Sequence, residues 1–210
     1  MESADGYNYY DETRSEVLAV LDQLPKSSAV LDAGAGFGNN ARELLARGHS
    51  VTATETSPTA LLRLEQLRSD HPDRLAVRCQ SVAELDDTGE FDAVICTMVL
   101  HYLTPQAGRD ALERLKNATK PGGLCIVTSY LTSSDLPNEY IWRLKPGELH
   151  ADFASWQVLR YEESYPFTLR KIRSTPQLVR WLRGRRGYKA ARIVAQRPER
   201  RAKGGAEGRA

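Results

Sequence analysis

The 210-residue sequence has little that would cross a membrane, staple a fold or repeat itself. No window approaches the ~18 consecutive apolar residues of a membrane-spanning helix. The opening Met1-Glu2-Ser3-Ala4-Asp5 is acidic and lacks the apolar stretch of a secretory leader. Both absences predict a soluble, cytoplasmic protein with no membrane partner. Cysteine is scarce: there are three, Cys79, Cys96 and Cys125, and none is close to another in sequence. Each sits in or beside an apolar run and reads as a small core residue in a reducing compartment, with a catalytic thiol as the alternative. No metal site is assigned and no internal repeat is found.

Net charge is close to balance at +2, but its distribution is not. From Arg170 onward there are 14 Lys/Arg against two acids, whereas the first 169 residues hold 15 bases and 25 acids. Two readings stand: a solvated basic tail, or a surface for nucleic acid or an anionic substrate. The length suits one α/β domain, and the expected organisation is a single domain over 1–196 followed by a mobile tail over 197–210. Within that domain, 1–25 form an N-terminal lid and helix, and 164–187 a basic insertion before the last strand.

Apolar periodicity places the elements. Helical spacing covers Thr13 to Leu24, then Pro25 stops it. Strands are expected at about Ala29–Asp32, Ser50–Thr54, Leu75–Cys79, Phe91–Cys96 and Leu124–Thr128, with Lys120-Pro121-Gly122-Gly123 turning the chain into the last of these. Helices between them, at about Asn39–Ala46, Ala60–Leu67 and Ala107–Ala118, give the alternation of a parallel sheet with right-handed crossovers. Two more strands are expected at Trp156–Glu163 and Ala191–Gln196, and Thr175-Pro176 caps a short helix between them.

The most informative stretch is Asp32-Ala33-Gly34-Ala35-Gly36-Phe37-Gly38. A chain leaving a buried strand must turn sharply here and bring its amides close to a ligand, which residues without a Cβ allow. The following helix points its positive end at the same place. Glu55 lies 21 positions after Gly34, the distance expected of a ribose-hydroxyl acceptor. A dinucleotide fingerprint would want its third glycine where Asn39 stands and does not ask for Asp32.

Asp-x-Gly-x-Gly-x-Gly resembles motif I of the class I S-adenosylmethionine (SAM) methyltransferases. Four further stretches, Thr13–Leu18, Thr97–Leu100, Lys120–Gly123 and Leu144–Leu149 with Phe153 and Trp156, resemble the tellurite-resistance methyltransferase branch. The likeness runs from about Tyr9 to Glu163. It implies a Rossmann-like α/β fold with a seven-stranded, mostly parallel sheet, helices on both faces and an antiparallel C-terminal strand. It also implies SAM as cofactor and S-adenosylhomocysteine as product. In that branch the region before the last strand carries a His-Arg pair, whereas 164–187 here has no histidine and offers Arg170, Arg173 and Arg180.

The resemblance implies a site set. Gly34, Ala35, Gly36, Gly38 and Asn40 would border the methionine part of SAM. Glu55, with Thr56 beside it, would take the ribose hydroxyls, and Ser81 and Val82 the adenine edge. Thr97 would line the methionine end, or act as a cap. Asp32 would reach the ammonium or orient the turn, the alternative being a turn-stabilising Asx bond. His101 is the candidate general base or orienting residue, the alternative being a packed histidine. Tyr7, Tyr9, Tyr10 and Arg14 are candidates for a lid, or for plain packing. Tyr10, Arg14, Tyr130 and Arg173 are the substrate-side candidates. The expected acceptor is a small-molecule O, N or chalcogen nucleophile. The alternatives are a nucleic-acid methyltransferase, weakened by the absence of an Asn/Asp-Pro-Pro-aromatic motif or a Pro-Cys pair, and a non-catalytic SAM-binding regulator. A monomer or homodimer is expected.

Overall fold

The computed structural model describes residues 15–132, 140–164 and 189–199. The chain runs α1 (Ser15–Leu21), β1 (Ala29–Ala33), α2 (Asn39–Ala46), β2 (Ser50–Glu55), α3 (Pro58–Asp70), β3 (Leu75–Cys79), β4 (Phe91–Thr97), α4 (Pro105–Ala118), β5 (Thr119–Tyr130), α5 (Glu148–Asp152), β6 (Gln157–Ser164) and β7 (Ala190–Gln196). Short 3₁₀ turns at Val82–Glu84 and Leu100–Tyr102 follow β3 and β4. No helix among the described residues is long and apolar enough to cross a membrane.

The seven strands pair in the order β3-β2-β1-β4-β5-β7-β6. All neighbours are parallel except that β7 runs antiparallel to both β5 and β6. The expected seven-stranded Rossmann-like sheet with one reversed C-terminal strand is therefore observed. Successive side chains of a strand point to opposite faces, and both faces are covered. Val30, Ala53, Ile95 and Ile126 pack with Leu44, Leu45 and Leu64 of α2 and α3. Leu31, Val94, Cys96 and Val127 pack with Leu112 and Leu115 of α4 and with Leu149 and Phe153 at α5. This two-sided burial explains why the strands read as continuous apolar runs.

Strand order reverses between β1 and β4. The carboxyl ends of these two strands therefore flank the crevice where ligands bind in open α/β sheets. Gly34 seals its base, since a Cβ there would lie 2.4 Å from Val99 Cγ2.

Four expectations need correction. Lys120–Gly123 does not turn the chain but lies inside β5. The register with β4 slips between Phe91 and Ala93, and Gly123 comes so close to the Asp92 carbonyl that a Cβ would sit 2.9 Å from it. No helix is expected between Thr128 and Trp156, yet α5 forms there; the Glu148 carboxylate accepts from the Lys145 amide at 2.8 Å to start it. Cys79 is exposed at the end of edge strand β3, whereas Cys96 and Cys125 are in the core. Arg197 is no tail: its amide and the Gly123 carbonyl, and its carbonyl and the Gly122 amide, extend the β5–β7 pairing. The expected lid residues up to Arg14, most of the expected basic insertion with the short helix expected in it, and 200–210 lie outside the described residues.

Candidate functional site

Three glycines shape the turn after β1. Gly34, Gly36 and Gly38 have φ of 71, 56 and 81°, the left-handed region that glycine enters without penalty. The Gly34 and Ala35 amides both donate to the Thr54 carbonyl at 2.9 Å, which straps the turn to β2. Gly38 caps α2, and its amide donates back to the Ala35 carbonyl at 3.0 Å. Gly36 differs from its neighbours, because a Cβ there would meet nothing within 4 Å. The backbone at Gly36 faces open space.

Glu55 closes the other side. Its Oε2 accepts from the Gly36 amide at 2.8 Å, and its Oε1 from the amides of Thr56 at 2.7 Å and Ser57 at 2.9 Å. Three backbone donors fix the carboxylate, and its remaining lone pairs can accept from a vicinal diol. Thr56 contributes this amide, while its side chain is exposed.

Asp32, 1% exposed, ends β1 beneath the turn. Asn40 Nδ2 donates to its Oδ1 at 3.3 Å and also reaches Thr97 Oγ1 at 3.5 Å, tying the ends of β1, α2 and β4 together. Asp32 Oδ2 is buried without a hydrogen-bond partner among the described residues. Burial pushes the Asp32 carboxyl up to about 7, against the pull of the Asn40 hydrogen bond and with a further push from the Glu55 charge. A buried carboxylate with one oxygen unsatisfied is a costly arrangement that a cationic ligand would relieve.

After β4 the backbone is strained. Met98 has φ of 62°, rare for a residue with a side chain, and its amide is held by the Thr128 carbonyl at 2.8 Å. This bend throws Val99 against Gly34 and sends His101 into the next turn. His101 is 1% exposed, and burial lowers its pKa to about 4. Its Nδ1 has no partner among the described residues. Its ring lies 4.3 Å from Tyr102, 4.7 Å from Tyr130 and 4.5 Å from Tyr140.

The expected residues divide accordingly. Asp32, the glycines, Asn40, Glu55 and Thr97 surround one crevice, with His101 and Tyr130 next to it. Ser81 is occupied as the cap of the turn after β3, where its hydroxyl accepts from the Ala83 amide at 3.3 Å. The Val82 side chain is in the core, so only its backbone can meet a ligand. Tyr10, Arg14 and Arg173 lie outside the described residues. Sequence reading missed Tyr102 and Tyr140. The adjacent pair His101-Tyr102 was a usable signal for the first; nothing local marks the second.

The Gly34 contact yields a first expectation. Gly34→Ala should lower stability by roughly 1–3 kcal/mol, from overpacking and a positive φ together. A lower urea midpoint at unchanged slope would show it. Val99→Ala in the same background should recover part of the loss, and no recovery would mean that backbone strain alone is responsible.

Known proteins with similar sequence or structure now bear on these features. Residues 30–123 match the methyltransferase-domain family. The chain is 31% identical over 140 residues to hemagglutinin 1 of Eikenella corrodens, covering 64% of this chain and 45% of that protein. It is 20% identical over 137 residues to the probable S-adenosyl-L-methionine-dependent methyltransferase TehB of Haemophilus influenzae, covering 64% and 48%. The chain thus spans about half the length of the curated relatives it matches. The solved TehB structure superposes with a TM-score of 0.73 at 19% identity, over 92% of this chain and 65% of that one. A Burkholderia thailandensis 1,6-didemethyltoxoflavin-N1-methyltransferase, solved with bound 1,6-didemethyltoxoflavin and S-adenosylhomocysteine, superposes with a TM-score of 0.68 at 20% identity, over 89% of this chain and 78% of that one.

Proposed function

We propose that this chain, which carries a class I SAM-dependent methyltransferase domain resembling the tellurite-resistance branch, transfers a methyl group from SAM to a small-molecule O, N or chalcogen nucleophile by direct in-line displacement. The observation that carries the reading is the pair of carboxylates around the glycine turn: Glu55 held by three amides, and Asp32 with one buried oxygen unsatisfied.

These residues fit the cofactor. Glu55 would accept the ribose hydroxyls, and Gly36 leaves room for close backbone approach. Asp32 would take the ammonium of the methionine part, directly or through water, with Asn40 holding it against Thr97. Ser81 and the Val82 backbone would border the adenine. When bound, SAM supplies a sulfonium whose methyl carbon is already electrophilic. The protein's task is then orientation in a dry pocket, which can supply ~7–11 kcal/mol of the barrier. His101, kept neutral by burial, is a weak base and suits orienting the acceptor better than deprotonating it in advance. Tyr130 stands beside it, and we assign Tyr10, Arg14 and Arg173 to the acceptor side as well. The missing histidine in 164–187 argues against tellurite as the acceptor. A cytoplasmic location suits such a reaction.

SAM and S-adenosylhomocysteine should raise the melting temperature while NAD does not. Glu55→Ala should weaken SAM binding by no more than about 3 kcal/mol, the loss expected for hydrogen bonds to a charged group. Stabilisation by NAD alone would overturn the cofactor assignment. Methyl transfer to RNA, with affinity falling steeply in salt, would replace the small-molecule acceptor by nucleic acid.

A further inference from the structure

We infer that the methyl acceptor is a planar aromatic molecule, methylated on a ring-attached hydroxyl or a ring nitrogen that carries a hydrogen, and that Tyr102, Tyr130 and Tyr140 bind its ring while His101 Nδ1 receives that hydrogen. The inference rests on the methyltransferase reading and names its acceptor class.

Position is the first support. β4 and β5 are parallel neighbours, with Thr97 opposite Thr128. His101 and Tyr130 follow those residues by four and two positions, so they stand at the same end of the sheet as the Asp32–Asn40–Thr97 link. Tyr140 is brought in by the backbone: the amides of Ile141 and Trp142 donate to the His101 carbonyl at 2.7 and 3.2 Å. Tyr140 stacks on Tyr130 at 5.1 Å and meets Tyr102 edge-on at 5.3 Å. Tyr102 is 50% exposed, so the group reaches from the buried imidazole to the surface.

Chemistry is the second. Three phenol rings and an uncharged imidazole offer faces and edges to a flat apolar ring. An oxyanion would engage only the phenol hydroxyls of this cluster and leave the ring faces unused. The Nδ1 on this fully buried ring lacks a hydrogen-bond partner among the described residues, and with the ring proton on Nε2 it accepts from a phenol or ring N–H. In the transfer, the acceptor's lone pair forms the bond to the methyl carbon and the carbon–sulfur pair stays on sulfur. The heteroatom's proton passes to Nδ1 and then to solvent as product leaves. A weak base suffices, because a methylated oxonium or its nitrogen counterpart is far more acidic than an imidazolium.

Calorimetry on the full chain saturated with S-adenosylhomocysteine tests this with no turnover required. Catechol, 4-hydroxybenzoate and 2-naphthol should bind saturably, and selenite and sarcosine should not. Tyr102→Ala should weaken arene binding roughly three- to tenfold, as loss of an aromatic pair does, whereas Tyr102→Phe should retain it. His101→Phe should abolish the preference for 2-naphthol over 2-methoxynaphthalene. Binding of selenite or sarcosine in preference to arenes would overturn the inference. So would failure of every arene to bind a protein that does bind S-adenosylhomocysteine. If S-adenosylhomocysteine itself does not bind, the methyltransferase reading fails instead.

Discussion

Asp32→Asn is expected to make the free protein more stable at neutral and alkaline pH while impairing its cofactor site. In the folded chain the Asp32 carboxyl titrates at about 7 instead of 3.8, chiefly because it is buried. The folded state therefore holds a proton that the unfolded chain has already released. Stability falls as pH rises from about 4 to 7, and the loss is complete above that. Each pKa unit corresponds to about 1.4 kcal/mol, so the penalty at pH 8 is a few kcal/mol. Asparagine keeps the shape and the contact with Asn40 but never ionises. The gap between the two proteins in urea melts should be small at pH 4 and widen to a few kcal/mol at pH 8, with the variant the more stable. SAM affinity should move the opposite way, since the variant has no charge for the ammonium. A variant less stable at pH 8 would mean that Asp32 is satisfied by a partner within the fold, and that its unpaired oxygen is no ligand site.

Gly108→Ala should be destabilising, although helix propensity favours it. Gly108 lies one turn into α4, its amide on the Thr104 carbonyl at 2.8 Å. Alanine there would ordinarily gain about 0.5–1 kcal/mol. Its Cβ, however, would sit 2.0 Å from Trp142 Cε3, a ring that is 2% exposed and has no free space to enter. Overpacking of this kind costs roughly 1–3 kcal/mol and overrides the propensity gain. The consequence extends to function. Trp142 and Ile141 are hydrogen-bonded to the His101 carbonyl, so displacing the indole shifts Tyr140 from the imidazole. Arene binding should fall while S-adenosylhomocysteine binding persists, because the glycine turn is on the other side of the crevice. Trp142→Leu in the same background should give a loss smaller than the sum of the two single changes. Strict additivity would show that the two residues do not press on each other.

The cofactor half of the site was legible because its parts are close in sequence and each carries a local demand. Gly34 and Gly38 need positive φ, Asn40 sits in the first turn of the helix they lead into, and Glu55 ends the neighbouring strand at a fixed distance. β3 and α2 were legible for a similar reason, with apolar spacing bounded by clear stops. The aromatic group was not. Tyr102 and Tyr140 meet across 38 positions through the pairing of two backbone segments, and no local pattern records that. Met98 could not be foreseen either, since methionine has no preference for the left-handed region that tertiary contacts impose on it. The stretch Leu144–Leu149 with Phe153 and Trp156, the most distinctive part of the family likeness, has a packing role in the fold. Leu144, Leu149 and Phe153 are fully buried against the α4 face, with the Lys116 ammonium over the Phe153 ring at 5.1 Å. Composition also misled at Arg197, where a basic residue near the chain's end is fixed by strand pairing.

Titration of the protein with SAM by calorimetry at pH 5.5 and at pH 7, with NAD in parallel, tests the central claim most directly. His101 stays neutral at both values, with its pKa at about 4, and Asp32 is the buried group at the site that changes charge between them. If the ammonium is held by ionised Asp32, SAM binding should tighten roughly tenfold over this interval as protons are released, and NAD should show no binding. A SAM affinity that does not change with pH, or binding of NAD in place of SAM, would contradict it.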